Sequence, residues 1–177
     1  KNRIGWLLIL MVTATFTGQI IEGFENQLAT IAGLTACIPM LMGTGGNAGG
    51  QASVTIIRGL SLGEIENSDI LKVIWKELQV AFLCGITLAI ANFIKMYLID
   101  NASITASGES ILYVSLVVSL TVFVTTIMAK IVGCALPIIA KNLKLDPAVM
   151  ASPFITTIID ACALLVYFNI ARFFLKI

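Results

Sequence analysis

The sequence contains no histidine, and only 12% of its 177 residues are charged. The missing histidine removes His-ligated zinc or haem, Ser-His-Asp hydrolysis and imidazole acid–base work. The scarcity of charge excludes more. Soluble domains carry roughly a quarter charged residues, whereas here 58% of residues are hydrophobic and the mean hydropathy is +0.99. Such a chain buries its apolar surface in lipid. Eleven basic against ten acidic residues give a formal charge of +1, too little to hold nucleic acid. Cys37, Cys84, Cys134 and Cys162 are far apart and sit inside apolar runs, so they read as small core residues and not as a disulfide framework or metal knuckle.

What remains is long uncharged runs. A membrane-crossing helix needs about 20 largely apolar residues, and the charges mark where such helices end. Ile4 to Ile21 carries no charge and follows Lys1 and Arg3; it is a first span and, at that length and without a cleavage site, not a signal peptide. The uncharged run from Asn26 to Ile57 predicts a turn followed by an irregular second helix ending near Arg58. Gly59 to Lys76 is a polar connection, and a third helix covers Ile74 to Leu98. After the polar loop Asp100–Ser110, a fourth helix spans Ile111 to Ala140, interrupted by Lys130, Gly133 and Pro137. A fifth span runs from Pro153 to Phe173. The expected fold is all-α: one polytopic membrane domain, 1–177, with five transmembrane helices.

With the N-terminus in the cytoplasm, the inner segments hold Lys1, Arg3, Arg58, Lys72, Lys76, Lys141 and Lys144, and the outer ends hold Lys95, Arg172 and Lys176. Cytoplasmic loops carry the basic excess, so the N-terminus is placed inside and the C-terminus outside a cell membrane. The chain does not open on Met and reads as part of a longer protein whose preceding segment is cytoplasmic.

Two places break the membrane pattern. Asp160 is central in the last span, with thirteen uncharged residues before it and eleven after it. A charge at that depth costs about 2.5–3.5 kcal/mol on insertion scales unless it faces water, a cation or a partner. Ser152, Thr156 and Asp160 fall at i, i+4 and i+8, one helix face, which Ala163 and Tyr167 continue outwards; Ser152 before Pro153 is a helix N-cap. Two readings stand for Asp160: an ion site on an aqueous path, or a buried structural pair with Lys130. The second break is Pro39–Gln51, PMLMGTGGNAGGQ, with five glycines in eight positions. One reading is non-helical backbone facing water, whose carbonyls, with Thr44, Asn47 and Gln51, supply hard oxygen ligands for Mg2+, Na+ or K+. The other is glycine that lets helices approach closely. A nucleotide-binding loop is excluded, because no GK[ST] ending or preceding strand accompanies it.

The runs PMLMGTGGNAGGQASVTIIRGLSLGEI (Pro39–Ile65) and LKLDPAVMASPFITTIIDACALLVYF (Leu143–Phe168) resemble the transmembrane domain of the MgtE magnesium channel/transporter family, related to the solute carrier 41 proteins. WLLILMVTATFTGQIIEGFE and VGCALP fit as well, so the resemblance covers essentially the whole chain. It implies a homodimer with five spans per subunit and a central pore lined by helices two and five of both copies. It makes Asp160 the residue that binds hydrated Mg2+, with Thr156 one turn below. Gly45, Gly46 and Asn47 of the GGNAG element, with Thr44 and Ser152, become pore-lining. Full-length members add cytoplasmic N-terminal and CBS domains that sense Mg2+; these lie outside 1–177.

The resulting expectation is a non-enzymatic, Mg2+-selective channel domain. Its partners are a second copy of itself, the lipid bilayer, Mg2+ and other divalent cations; Mg2+ is both cargo and pore ligand. An alternative is a cation-coupled secondary transporter of divalent metals with Asp160 as the coupling carboxylate. An intramembrane aspartyl protease would need two differently tuned aspartates and a GxGD motif, which the sequence does not contain; a non-catalytic assembly subunit is a further alternative.

Overall fold

The computed structural model describes residues 2–24, 26, 32–66, 69–106, 108, 110–144 and 153–176. Among these, all regular secondary structure is helical: α1 (Asn2–Gly23), α2 (Ala32–Ser61), α3 (Ile70–Leu98), a single turn α4 (Asn101–Thr105), α5 (Ile111–Asn142) and α6 (Pro153–Leu175). Five of the six are long, and they fall on the five expected spans. α6 begins at Pro153 as expected, where proline's missing N–H costs no helical bond. α3 begins at Ile70, ahead of the expected Ile74, because LKVIWKEL carries helix-forming Leu, Lys and Glu beside its charges. α2 ends where Gly63 takes φ +72, a left-handed conformation that glycine adopts without a Cβ penalty.

Two expectations about helix breaks are corrected. α2 runs unbroken through GTGGNAGG, and α5 runs unbroken through Lys130, Gly133 and Pro137. Tertiary packing outweighs glycine's weak helical preference here. A Cβ placed on Gly133 would collide with the backbone of Gly49, and one placed on Gly49 would lie 2.8 Å from the Ala129 carbonyl oxygen. Glycine at 49 and 133 therefore lets α2 and α5 touch backbone to backbone, the close-approach device of membrane helices. The glycine carbonyls serve the helix and do not form an exposed ligand loop.

α5 is the central post. It packs on α2, α3 and α6, while α1 packs on α6. Half of the most apolar window of α5 is buried, against 17% for α3. The buried layers follow the bundle: Leu41, Val118, Leu164 and Tyr167 at one end, Ala48, Ala129, Ile155 and Ile159 in the middle, and Ala52, Ile56, Cys134 and Ile138 at the other. α3 turns Phe82, Leu83, Ile86, Ile90 and Ile94 outwards and buries small or polar Ala81, Gly85 and Asn92. Apolar outside and polar inside suits lipid, where helices associate by packing and interhelical hydrogen bonds. Three helices among the described residues are long and apolar enough to cross a membrane: α3, α5 and α6. The middle of α2 is Gly, Thr, Asn and Gln, which lowers its hydropathy.

All four cysteines are free. Lys130 pairs with Glu77 on α3, Nζ to Oε2 at 3.3 Å, and not with Asp160. That removes the structural-pair reading of Asp160. Glu77 lies two turns into α3, so two helices that pack along each other bring the opposite charges together.

Candidate ion site

α2 and α6 build the site between them. Glycine at position 46 leaves α2 no side chain on the side that meets α6. A Cβ there would lie 3.4 Å from Thr156 Cγ2 and 3.6 Å from Asp160 Oδ1. The GGNAG element and the TTIID turn are thus in van der Waals reach. Beside this contact runs an open groove of about 680 Å³, lined by Gly46, Asn47, Gly50, Gln51, Val54 and Thr156. Asn47 and Gln51 are exposed and Thr156 and Asp160 are half-buried in the single subunit.

Asp160 makes no hydrogen bond or ion pair with another described residue. Its carboxylate is therefore without a partner among the described side chains. Among the described residues no three His, Cys, Asp or Glu side chains gather to hold a metal. Besides the Asp160 carboxylate, the groove next to it presents the side chains of Thr55, Thr156, Asn47 and Gln51. That donor set suits a hard cation that keeps its water shell, not a stripped transition metal.

The other expected site residues fall elsewhere. Gly45 is buried, its missing side chain making room for Thr125, Ile159 and Ala163. Thr44 lies on the opposite side of α2, in cavities facing α3 and α5. Ser152 lies outside the described residues. Ala163 and Tyr167 do not continue the polar stripe: both are fully buried, and the Tyr167 hydroxyl donates to the Leu34 carbonyl at 2.9 Å. Phe24, just after α1, stacks on Phe168 next to them, with ring centroids 4.6 Å apart. Among the described residues the polar face is therefore open around Thr156 and Asp160. Glu77 as the partner of Lys130 was not anticipated; the signal available was the inner-end placement of both residues in the N-inside topology.

Residues 38–170 match the family model for MgtE, described as a divalent cation transporter. The chain belongs to the MgtE family. The chain is 35% identical over 174 residues to the magnesium transporter MgtE of Thermus thermophilus and, over the same length, to that of Bacillus subtilis, covering 98% of this chain in each case. The magnesium transporter MgtE of Enterococcus faecalis is 26% identical over 176 residues. The chain spans 36–37% of the length of these relatives. MgtE is a family of membrane transporters and not of enzymes, and the matched segment contains both the glycine run on α2 and Asp160 on α6.

Proposed function

We propose that residues 1–177 form the transmembrane domain of a Mg2+ channel: a homodimer of five-span subunits, N-terminus in the cytoplasm, that passes hydrated Mg2+ through a pore on the two-fold axis. α2 and α6 of each copy line that pore and Asp160 is the ion site. The observation that carries this reading is Asp160 itself, a carboxylate at membrane depth without a counter-ion among the described residues, apposed to glycine on α2 beside an open groove. A single such charge is costly in lipid. Two of them facing across an isologous axis supply the charge to neutralise one divalent ion. Mg2+ dehydrates reluctantly, so the carboxylates meet it through water, with Thr156, Asn47 and Gly46 framing the hydration shell. Discrimination against larger divalent ions then follows from the fit of the ring to the hydrated ion.

The test is Mg2+ flux into vesicles carrying the purified chain. Asp160→Asn keeps the shape and removes the charge; it is expected to abolish flux while the protein remains folded and dimeric. Wild-type flux in that variant would contradict the proposal. The alternative, a cation-coupled transporter of divalent metals, is separated by the reversal potential: a value set by Mg2+ alone supports a channel, and a fixed dependence on a second cation supports coupling.

A further inference from the structure

On the far side of α2 from Asp160, the α2, α3 and α5 helices border two adjoining open cavities of about 500 and 290 Å³, which share Thr44 and Leu88 in their walls. They form one crevice inside a single subunit. Its wider part is bordered by Asn47, Gln51, Cys84, Thr87, Thr126 and Lys130, and its narrower part by Asn92 and Lys95. This is an unusual concentration of polar side chains in the middle of apolar helices. Each end is marked by an ion pair, Lys130–Glu77 at 3.3 Å and Lys95–Asp100 at 2.6 Å.

Hydrogen bonding inside the crevice is incomplete. Asn92 is 6% exposed; its Nδ2 donates to Ser119 Oγ at 3.1 Å and to Met96 Sδ at 3.5 Å, and its Oδ1 has no partner. A buried acceptor left so costs about 1–3 kcal/mol, and membrane depth offers it no bulk water. Apolar cavities stay dry, whereas one bordered by several polar side chains, here Asn47, Gln51, Thr87, Thr126 and Lys130, holds water, at about 30 Å³ per molecule. The walls also decide against ions. The charged groups on the walls, Lys130 and Lys95, are each neutralised by an ion pair with Glu77 and Asp100, so the crevice presents no net charge to attract an ion. A neutral ligand with both donors and acceptors fits.

We propose that this crevice holds a chain of water molecules within each subunit, a hydrated vestibule distinct from the Asp160 groove. It solvates the Lys130–Glu77 pair at membrane depth and wets the second side of α2, because Asn47 and Gln51 border both the crevice and the groove. The inference stands on the α2–α3–α5 packing and does not depend on which ion the groove carries.

Cys84 reports on it without any substitution, since it lines the crevice and is half-buried, while Cys37 and Cys134 are buried in the packed core. Thiols react as thiolates, which form in water and not in hydrocarbon. The intact chain in lipid nanodiscs is treated with the neutral, water-soluble reagent 2-hydroxyethyl methanethiosulfonate, and labelling is mapped by peptide mass spectrometry. Cys84 is expected to label roughly tenfold faster than Cys37 or Cys134. It should also label faster than Ile90→Cys, which sits on the same helix in an apolar groove with Phe93 and Phe123. Labelling of Cys84 by a membrane-soluble maleimide but not by the water-soluble reagent would place a lipid chain in the crevice and overturn the proposal. Labelling by neither reagent would mean a closed crevice and overturn it equally.

Discussion

At the residue scale, glycine decides where α2 can be touched and by what. Gly46 and Gly49 lie three positions apart on the same helix and have different neighbours. A methyl on Gly46 makes ordinary contact with Thr156 and Asp160, whereas one on Gly49 meets the Ala129 carbonyl at 2.8 Å and collides with Ile159. Gly49→Ala is therefore expected to destabilise the bundle by about 1–3 kcal/mol through overpacking, read as a lowered Tm in detergent. Gly50→Ala, with nothing within 4 Å of the added methyl, should not lower the Tm of the subunit fold, since alanine is the better helix former. Gly46→Ala should fold normally and reduce Mg2+ flux several-fold, because it adds bulk beside the carboxylate; unchanged flux would remove Gly46 from the ion path.

At the element scale, α5 holds α3 to the bundle partly through Lys130 and Glu77, whose side chains are only 7% and 18% exposed. Breaking a buried pair by removing one partner costs about 3–5 kcal/mol, and replacing both can be nearly neutral. Lys130→Met should accordingly lower Tm strongly, and Glu77→Gln combined with Lys130→Met should recover most of the loss. Equal Tm values for the single and double variants would mean that the pair contributes nothing. The elements also show what could be read from sequence. The five long helices were legible because the charges sit at their ends, and Asp160 was legible because so few charges do not. The continuity of α2 was not legible: five glycines in eight positions argue locally against helix, and only contact with α5 at Gly133 reverses that. The burial of Ala163 and Tyr167 was hidden for the same reason, since helical spacing puts them on the Asp160 face and α2 then covers them, with Gly45 beside Ala163 and the Leu34 carbonyl on the Tyr167 hydroxyl.

At the scale of the whole molecule, the open groove at Asn47, Gly50, Gln51 and Val54 is the surface on which a second copy closes the proposed pore. Val54 is 62% exposed there beside polar Asn47 and Gln51. Asn47→Cys is expected to cross-link between copies on mild oxidation, giving a species of twice 18.9 kDa by native mass spectrometry. A monomer that resists cross-linking at any concentration in lipid would remove the shared pore. The most direct test is the position of the ion. A structure of the chain in lipid with Mg2+ should place one divalent ion on the two-fold axis, about 4 Å from both Asp160 carboxylates with a water shell between, and Asp160→Ala should lose that density. Density that survives Asp160→Ala, or Asp160 carboxylates lying away from the axis, would contradict it.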